Sequence, residues 1–99
     1  MKTVNICGVP HKIVYKDVID EDYEGIVQGK IIYSKAKILV KKDLPKEIEK
    51  EVIIHEMVHG MLCHMGQNEL CGNEEFVQMM ANAIYNSGFE LKEWKNDRK

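Results

Sequence analysis

Residues 52–62 read VIIHEMVHGML, an apolar run into which two histidines and a glutamate are set. Buried polar side chains cost free energy unless each finds a partner, so three together need an answer elsewhere in the fold. Ile48, Val52, His55, Val58, His59 and Leu62 recur at three- and four-residue steps, the spacing that lines one face of an α-helix. His55, Glu56 and His59 are thus an HExxH motif on a helix. Positions i and i+4 point the same way, so both imidazoles can reach one metal ion as a pair. Glu56 lies about 100° round the helix from His55, able to approach a water on that ion without being a ligand, as a general base requires. Zinc would lower the pKa of such a water from about 15.7 to about 7, giving a nucleophile at neutral pH beside a polarised carbonyl.

The helix is expected over residues 44–65. Asp43 and Pro45 mark its start, Glu47 and Glu49 suit the positive end of its dipole, and Gly66 is its stop. QNELCGN reads as a loop, with Asn73 the N-cap of a second helix over 73–86. On that helix Glu74, Val77, Ala81 and Ile84 or Tyr85 form one stripe, and Ser87-Gly88 ends it. The tail, 87–99, carries Phe89, Leu91 and Trp94 amid charges; its start is expected to pack and its last residues to fray.

A catalytic zinc needs three protein ligands and one open position. A metzincin extension would need Gly at 62 and His at 65, where this chain has Leu62 and Met65, so that arrangement is excluded. His64 lies five residues past His59, on a different face, and is expected at the surface or behind the ligands. The second helix offers two carboxylates. Glu74 shares its stripe with the packing residues Val77 and Ala81 and is preferred; Glu75 points elsewhere and is the weaker choice. Cys63 and Cys71 flank the motif and sulfur binds zinc well, yet a closed His/His/Cys/Cys site would leave Glu56 idle. Tyr85, His64, Tyr33 and His11 are the donors available to stabilise an oxyanion, with none singled out.

Upstream, residues 1–41 read mainly as strands. VNIC and HKIVY flank a Gly-Pro-containing turn and could pair as a hairpin. Five carboxylates between Asp17 and Glu24 suggest a solvated loop. IVQGKIIYSKAKILV is rich in Ile, Val and Tyr, which favours extended structure. Whether Ser34-Lys35-Ala36 is a tight turn or part of one long strand stays open, because apolar residues fall on both parities. Cys7 reads as a small buried hydrophobe.

With 99 residues, 44% hydrophobic and 30% charged, the chain has the size and composition of one soluble domain. A net charge of −2 gives no nucleic-acid surface, and no apolar run approaches a membrane span. MKTVNICGVPHK has no long apolar stretch and no small-residue cleavage site, so no secretory leader is expected. Three cysteines, an odd and low count, speak against a disulfide framework and for a reducing, cytoplasmic setting.

HEMVHGML followed by NEEFVQMMANAIY resembles the small zinc metallopeptidases of the ImmA/IrrE type and their compact phage and prophage relatives, in which HExxH on one helix is completed by a glutamate on the next, as in gluzincins. A KILVKKDLP strand feeding the motif helix is similar to the compact phage versions, and the resemblance spans about residues 29–85. It implies a minimal zincin-like fold, with His55, His59 and Glu74 binding one Zn2+ and Glu56 as catalytic base. Members of the ImmA type cleave repressor proteins of mobile elements. This chain departs from them in showing no DNA-binding or sensor domain, which leaves target and regulation open.

The expectation is a single α+β domain: a small antiparallel sheet, then the motif helix and a second packed helix. The expected activity is zinc-dependent hydrolysis of a peptide bond, on a protein or peptide substrate lying along an edge strand at 36–41. The alternative is a zinc-bound but catalytically silent binding or regulatory module in which Glu56 serves structure.

Overall fold

The computed structural model describes residues 3–19 and 27–91. Within them lie strands β1 (Thr3–Ile6), β2 (Val9–Lys16), β3 (Gly29–Ile32) and β4 (Lys37–Lys41), then helices α1 (Lys46–His64), α2 (Asn68–Cys71) and α3 (Glu74–Asn86). The fold is α+β, helices following a four-stranded sheet in the order β1-β2-β4-β3. The end of the expected acidic loop, from Asp20, and the end of the tail, with Trp94, fall outside the described residues.

β1 and β2 form the expected hairpin, with Ile6 opposite Val9 and Thr3 opposite Lys12. Its turn is Cys7-Gly8, both at positive φ (51° and 84°), the combination that two-residue hairpin turns demand. Val9 and Pro10 belong to the strand rather than the turn. Cys7 is accordingly exposed, which corrects the reading of it as a buried hydrophobe. The tip of a tight turn has no core to enter.

β3 and β4 form a second antiparallel hairpin, closed by a 3-10 turn at Tyr33–Lys35 and by Ala36 at φ 49°. The tight turn therefore wins over one long strand. β2 and β4 then pair in parallel, Ile13 beside Ile38 and Tyr15 beside Val40. The sheet is mixed, not antiparallel as expected. Each hairpin is antiparallel within itself, but the link after β2 carries the chain out to β3, so the returning β4 lies along β2 in the same direction. Apolar alternation reports which face a residue takes; it does not report strand direction.

The same order corrects the expectation of a substrate edge at 36–41. β4 is paired on both sides, and among the described residues the edges are β1 and β3. Ile38, Leu39 and Val40 are all buried, as an interior strand requires, and this is why its parity was unreadable.

Register puts Val4, Ile6, His11, Ile13, Ile31, Ile38 and Val40 on one face of the sheet. α1 covers that face with Ile53, Met57 and Val58, and Val77 and Ala81 of α3 close the same core. Gly60 sets the approach of helix to sheet: a Cβ there would lie 3.0 Å from both Ile31 Cδ1 and Ile6 Cδ1.

α1 begins after Pro45, whose carbonyl accepts from Glu49 N at 2.9 Å. Asp43 sits at φ 63° and gives no cap, so the helix starts two residues after the expected 44. At the other end Gln67 N bonds Leu62 O, Gly66 N bonds Cys63 O, and Gly66 takes φ 79°. That is a Schellman stop, and after it the chain packs against α1 as the short helix α2. The expected loop over 67–73 contains the short helix α2. Asn73 caps α3 as expected, its side chain accepting from Phe76 N at 3.0 Å.

Candidate metal centre

His55 and His59 project from one face of α1 with ring centroids 5.0 Å apart. Glu74, the first residue of α3, meets both. Its Oε2 lies 3.2 Å from His55 Nε2 and its Oε1 2.6 Å from His59 Nε2. The Asn73 cap fixes the direction in which α3 starts, and with it the place of this carboxylate. One ligand atom from each of the three side chains lies within 4.8 Å of the others, close enough to hold one metal ion. Of the two glutamates weighed, Glu74 is the one brought to the histidines; Glu75 is exposed and outside the trio.

The donor chemistry fits a cation. His59 Nδ1 lies 2.6 Å from the backbone carbonyl of Cys71. A carbonyl only accepts, so Nδ1 carries the hydrogen. A neutral His59 then turns the lone pair of Nε2 toward a carboxylate oxygen, and only a proton or a metal ion between them satisfies both. A backbone carbonyl accepting from the other ring nitrogen is a usual partner of an imidazole that binds a metal.

Glu56 faces inward, 8% exposed, beneath β3. Burial pushes its carboxyl above the usual carboxylate range; His55 and His59 pull it back, Glu74 raises it, and a hydrogen bond from the Ile31 backbone N–H lowers it. Gly29 makes this closeness possible. A Cβ there would overlap Val52 Cγ1 and lie 3.4 Å from Glu56 Oε2.

The donors considered for an oxyanion occupy different places. Tyr33 has its hydroxyl 3.3 Å from Cys71 Sγ; burial raises its pKa, and the charges of Glu56 and Glu74 raise it further. His11 is buried, its Nδ1 donating to Val9 O at 2.9 Å. His64 is exposed, as expected, and edge-on to His11. Tyr85 is half-buried against the core.

Cys63 and Cys71 form a disulfide, with Cα atoms 5.7 Å apart. This corrects the expectation drawn from a low cysteine count. The Schellman turn and α2 bring two residues eight apart in sequence to bridging distance. The bond takes both sulfurs out of a His/His/Cys/Cys site and removes the premise for a reducing compartment. No helix among the described residues is long and apolar enough to cross a membrane.

Two features of the site were not read from the sequence. The Cys71 carbonyl is a main-chain group with no side-chain signature. The approach of β3 to Glu56 did have a signal, since glycine opening an otherwise β-branched strand marks close backbone contact. Comparison with protein-family models, with curated proteins and with solved structures returns no match.

Proposed function

We propose that this chain is a zinc-dependent endopeptidase in which His55, His59 and Glu74 hold the ion and Glu56 is the general base. The convergence of Glu74 on the histidine pair, with a buried carboxylate next to it, carries this reading. When bound at these three side chains, zinc would acidify water and polarise a substrate carbonyl. Glu56 takes the proton from the attacking water as the new C–O bond forms. It then hands that proton to the leaving nitrogen as the C–N bond breaks, so atoms and charge balance. Burial suits Glu56 to this work, because a carboxylate whose pKa is raised is a better proton acceptor.

The edge beside the site is β3. Lys41 N bonds Gln28 O, so by antiparallel alternation Gly29 and Ile31 turn their backbone groups away from β4. The Ile31 N–H serves Glu56, and among the described residues the carbonyls of Gly29 and Ile31 accept no backbone hydrogen bond, so they could serve an extended peptide. The resemblance of the two motif helices to ImmA-type enzymes supports a protein substrate from a phage or another mobile element.

A second reading, a zinc-bound but silent binding module, is favoured by the Ile31–Glu56 hydrogen bond, which gives Glu56 a structural task. Glu56→Gln separates the two. On the peptidase reading the zinc-supplied wild type cleaves a protein from a phage or host extract and Glu56→Gln, with the same zinc content, does not. Zinc-loaded wild type that cleaves nothing supports the silent module.

A further inference from the structure

A cleft of about 210 Å3 opens beside the motif. His55 and Glu56 are among the residues that line it. From there it runs along α1 past Glu51 to Ile48, positions four and seven before His55 and so on one face of the helix. Ile48 and Val52 give it an apolar floor. The opposite walls are the start of β3 at Gln28 and the α3 residue Gln78, one turn beyond Glu74.

The polar side chains along this cleft are the carboxylate of Glu51 and the amides of Gln28 and Gln78, besides His55 and Glu56 of the motif. Glu51 is exposed, and among the described residues its carboxylate makes no hydrogen bond or ion pair. Gln78 gives its amide N–H to Asn82 Oδ1 at 2.8 Å, which leaves its carbonyl oxygen free to accept. Among the described residues no lysine or arginine lines the cleft. An apolar stretch ending in a carboxylate and an amide oxygen suits a side chain with a methylene stem and a cationic, multiply donating head. An acidic side chain would meet Glu51 as a like charge, and an aliphatic one would gain nothing from that carboxylate.

We propose that this cleft is the specificity pocket for a lysine or arginine side chain next to the scissile bond, selected by Glu51. The inference rests on the peptidase reading above. It makes Glu51 a specificity residue and leaves zinc binding to the trio.

Binding by the zinc-supplied Glu56→Gln protein tests it without turnover. Three randomised decapeptide pools, with Arg, Leu or Glu fixed at one central position, are titrated by fluorescence anisotropy. The Arg pool is expected to bind about tenfold more tightly than the other two. Glu51→Gln is expected to remove most of that advantage and Glu51→Lys to transfer it to the Glu pool. Because Glu51 is exposed, both variants are expected to keep the far-UV circular dichroism of the parent. Equal binding of the three pools, or an Arg preference that survives Glu51→Lys, overturns the pocket and leaves the peptidase reading standing. No binding of any pool by the zinc-loaded protein overturns both.

Discussion

The backbone carbonyl of Cys71 accepts a 2.6 Å hydrogen bond from Nδ1 of His59, so a residue twelve positions further along the chain fixes how that imidazole is turned. The disulfide to Cys63 secures the same short helix to the end of α1. One covalent bond thereby supports the geometry of the metal trio. Replacing both cysteines with serine is expected to cost roughly 2–3 kcal/mol of stability by loop-closure entropy, measured by urea unfolding. Looser orientation of His59 is expected to weaken zinc affinity about tenfold, read by competition with a chromogenic chelator. Unchanged zinc affinity in a folded double variant would separate the disulfide from the site.

The two neighbouring glutamates differ only in the face of α3 they occupy, and they should differ sharply in effect. Glu74→Gln removes the carboxylate that meets both imidazoles and is expected to reduce zinc content well below one ion per chain after dialysis. Glu75→Gln is expected to keep the wild-type content. Inductively coupled plasma mass spectrometry of the three proteins decides the matter, and equal loss in both variants would place the third ligand elsewhere.

How much of this was legible beforehand depends on which residues carried it. The helical period around His55 and His59, the Asn73 cap and the Glu74 stripe are local patterns, and the structure puts those residues where their spacing points. Strand direction is not local. Nothing in KILVK tells whether it runs with or against HKIVY, and the parallel pairing of β2 and β4 arises from how two hairpins are joined. Burial of three successive residues in β4 erased the alternation that would have marked a face. The disulfide was hidden because cysteine count says nothing about distance, which the Gly66 turn and α2 set.

Gly29 and Gly60 are expected to resist substitution for one reason, backbone closeness, but to different degrees. At Gly60 an added methyl gains about 1 kcal/mol of helix propensity but crowds Ile6 and Ile31, whose carbons lie 3.0 Å away. Overpacking costs typically about 1–3 kcal/mol, so Gly60→Ala is expected to destabilise by roughly 1 kcal/mol. At Gly29 the methyl would overlap Val52 with no helix gain, and Gly29→Ala is expected to cost more than about 2 kcal/mol. Urea midpoints of the two variants give the order, and a stabilised Gly60→Ala would show that α1 can shift away from the sheet.

Metal removal should register as lost stability, because the trio joins two helices that pack on each other, His55 and His59 from one and Glu74 from the other. At free zinc one hundred times the dissociation constant, binding contributes about 2.7 kcal/mol. For a domain of this size that corresponds to a fall of roughly 10–20 °C in Tm on chelation. Differential scanning fluorimetry with and without a chelator is the check, and adding zinc back should restore the transition. His59→Ala, lacking one of the three side chains, should show little response to either.

Zinc stoichiometry combined with its coordination tests the central claim most directly. X-ray absorption at the zinc edge on purified, zinc-supplied protein should show one ion per chain with two imidazole nitrogens, one carboxylate and a remaining oxygen position, and no sulfur. Absence of stoichiometric metal, or a first shell containing sulfur, would contradict the site built from His55, His59 and Glu74.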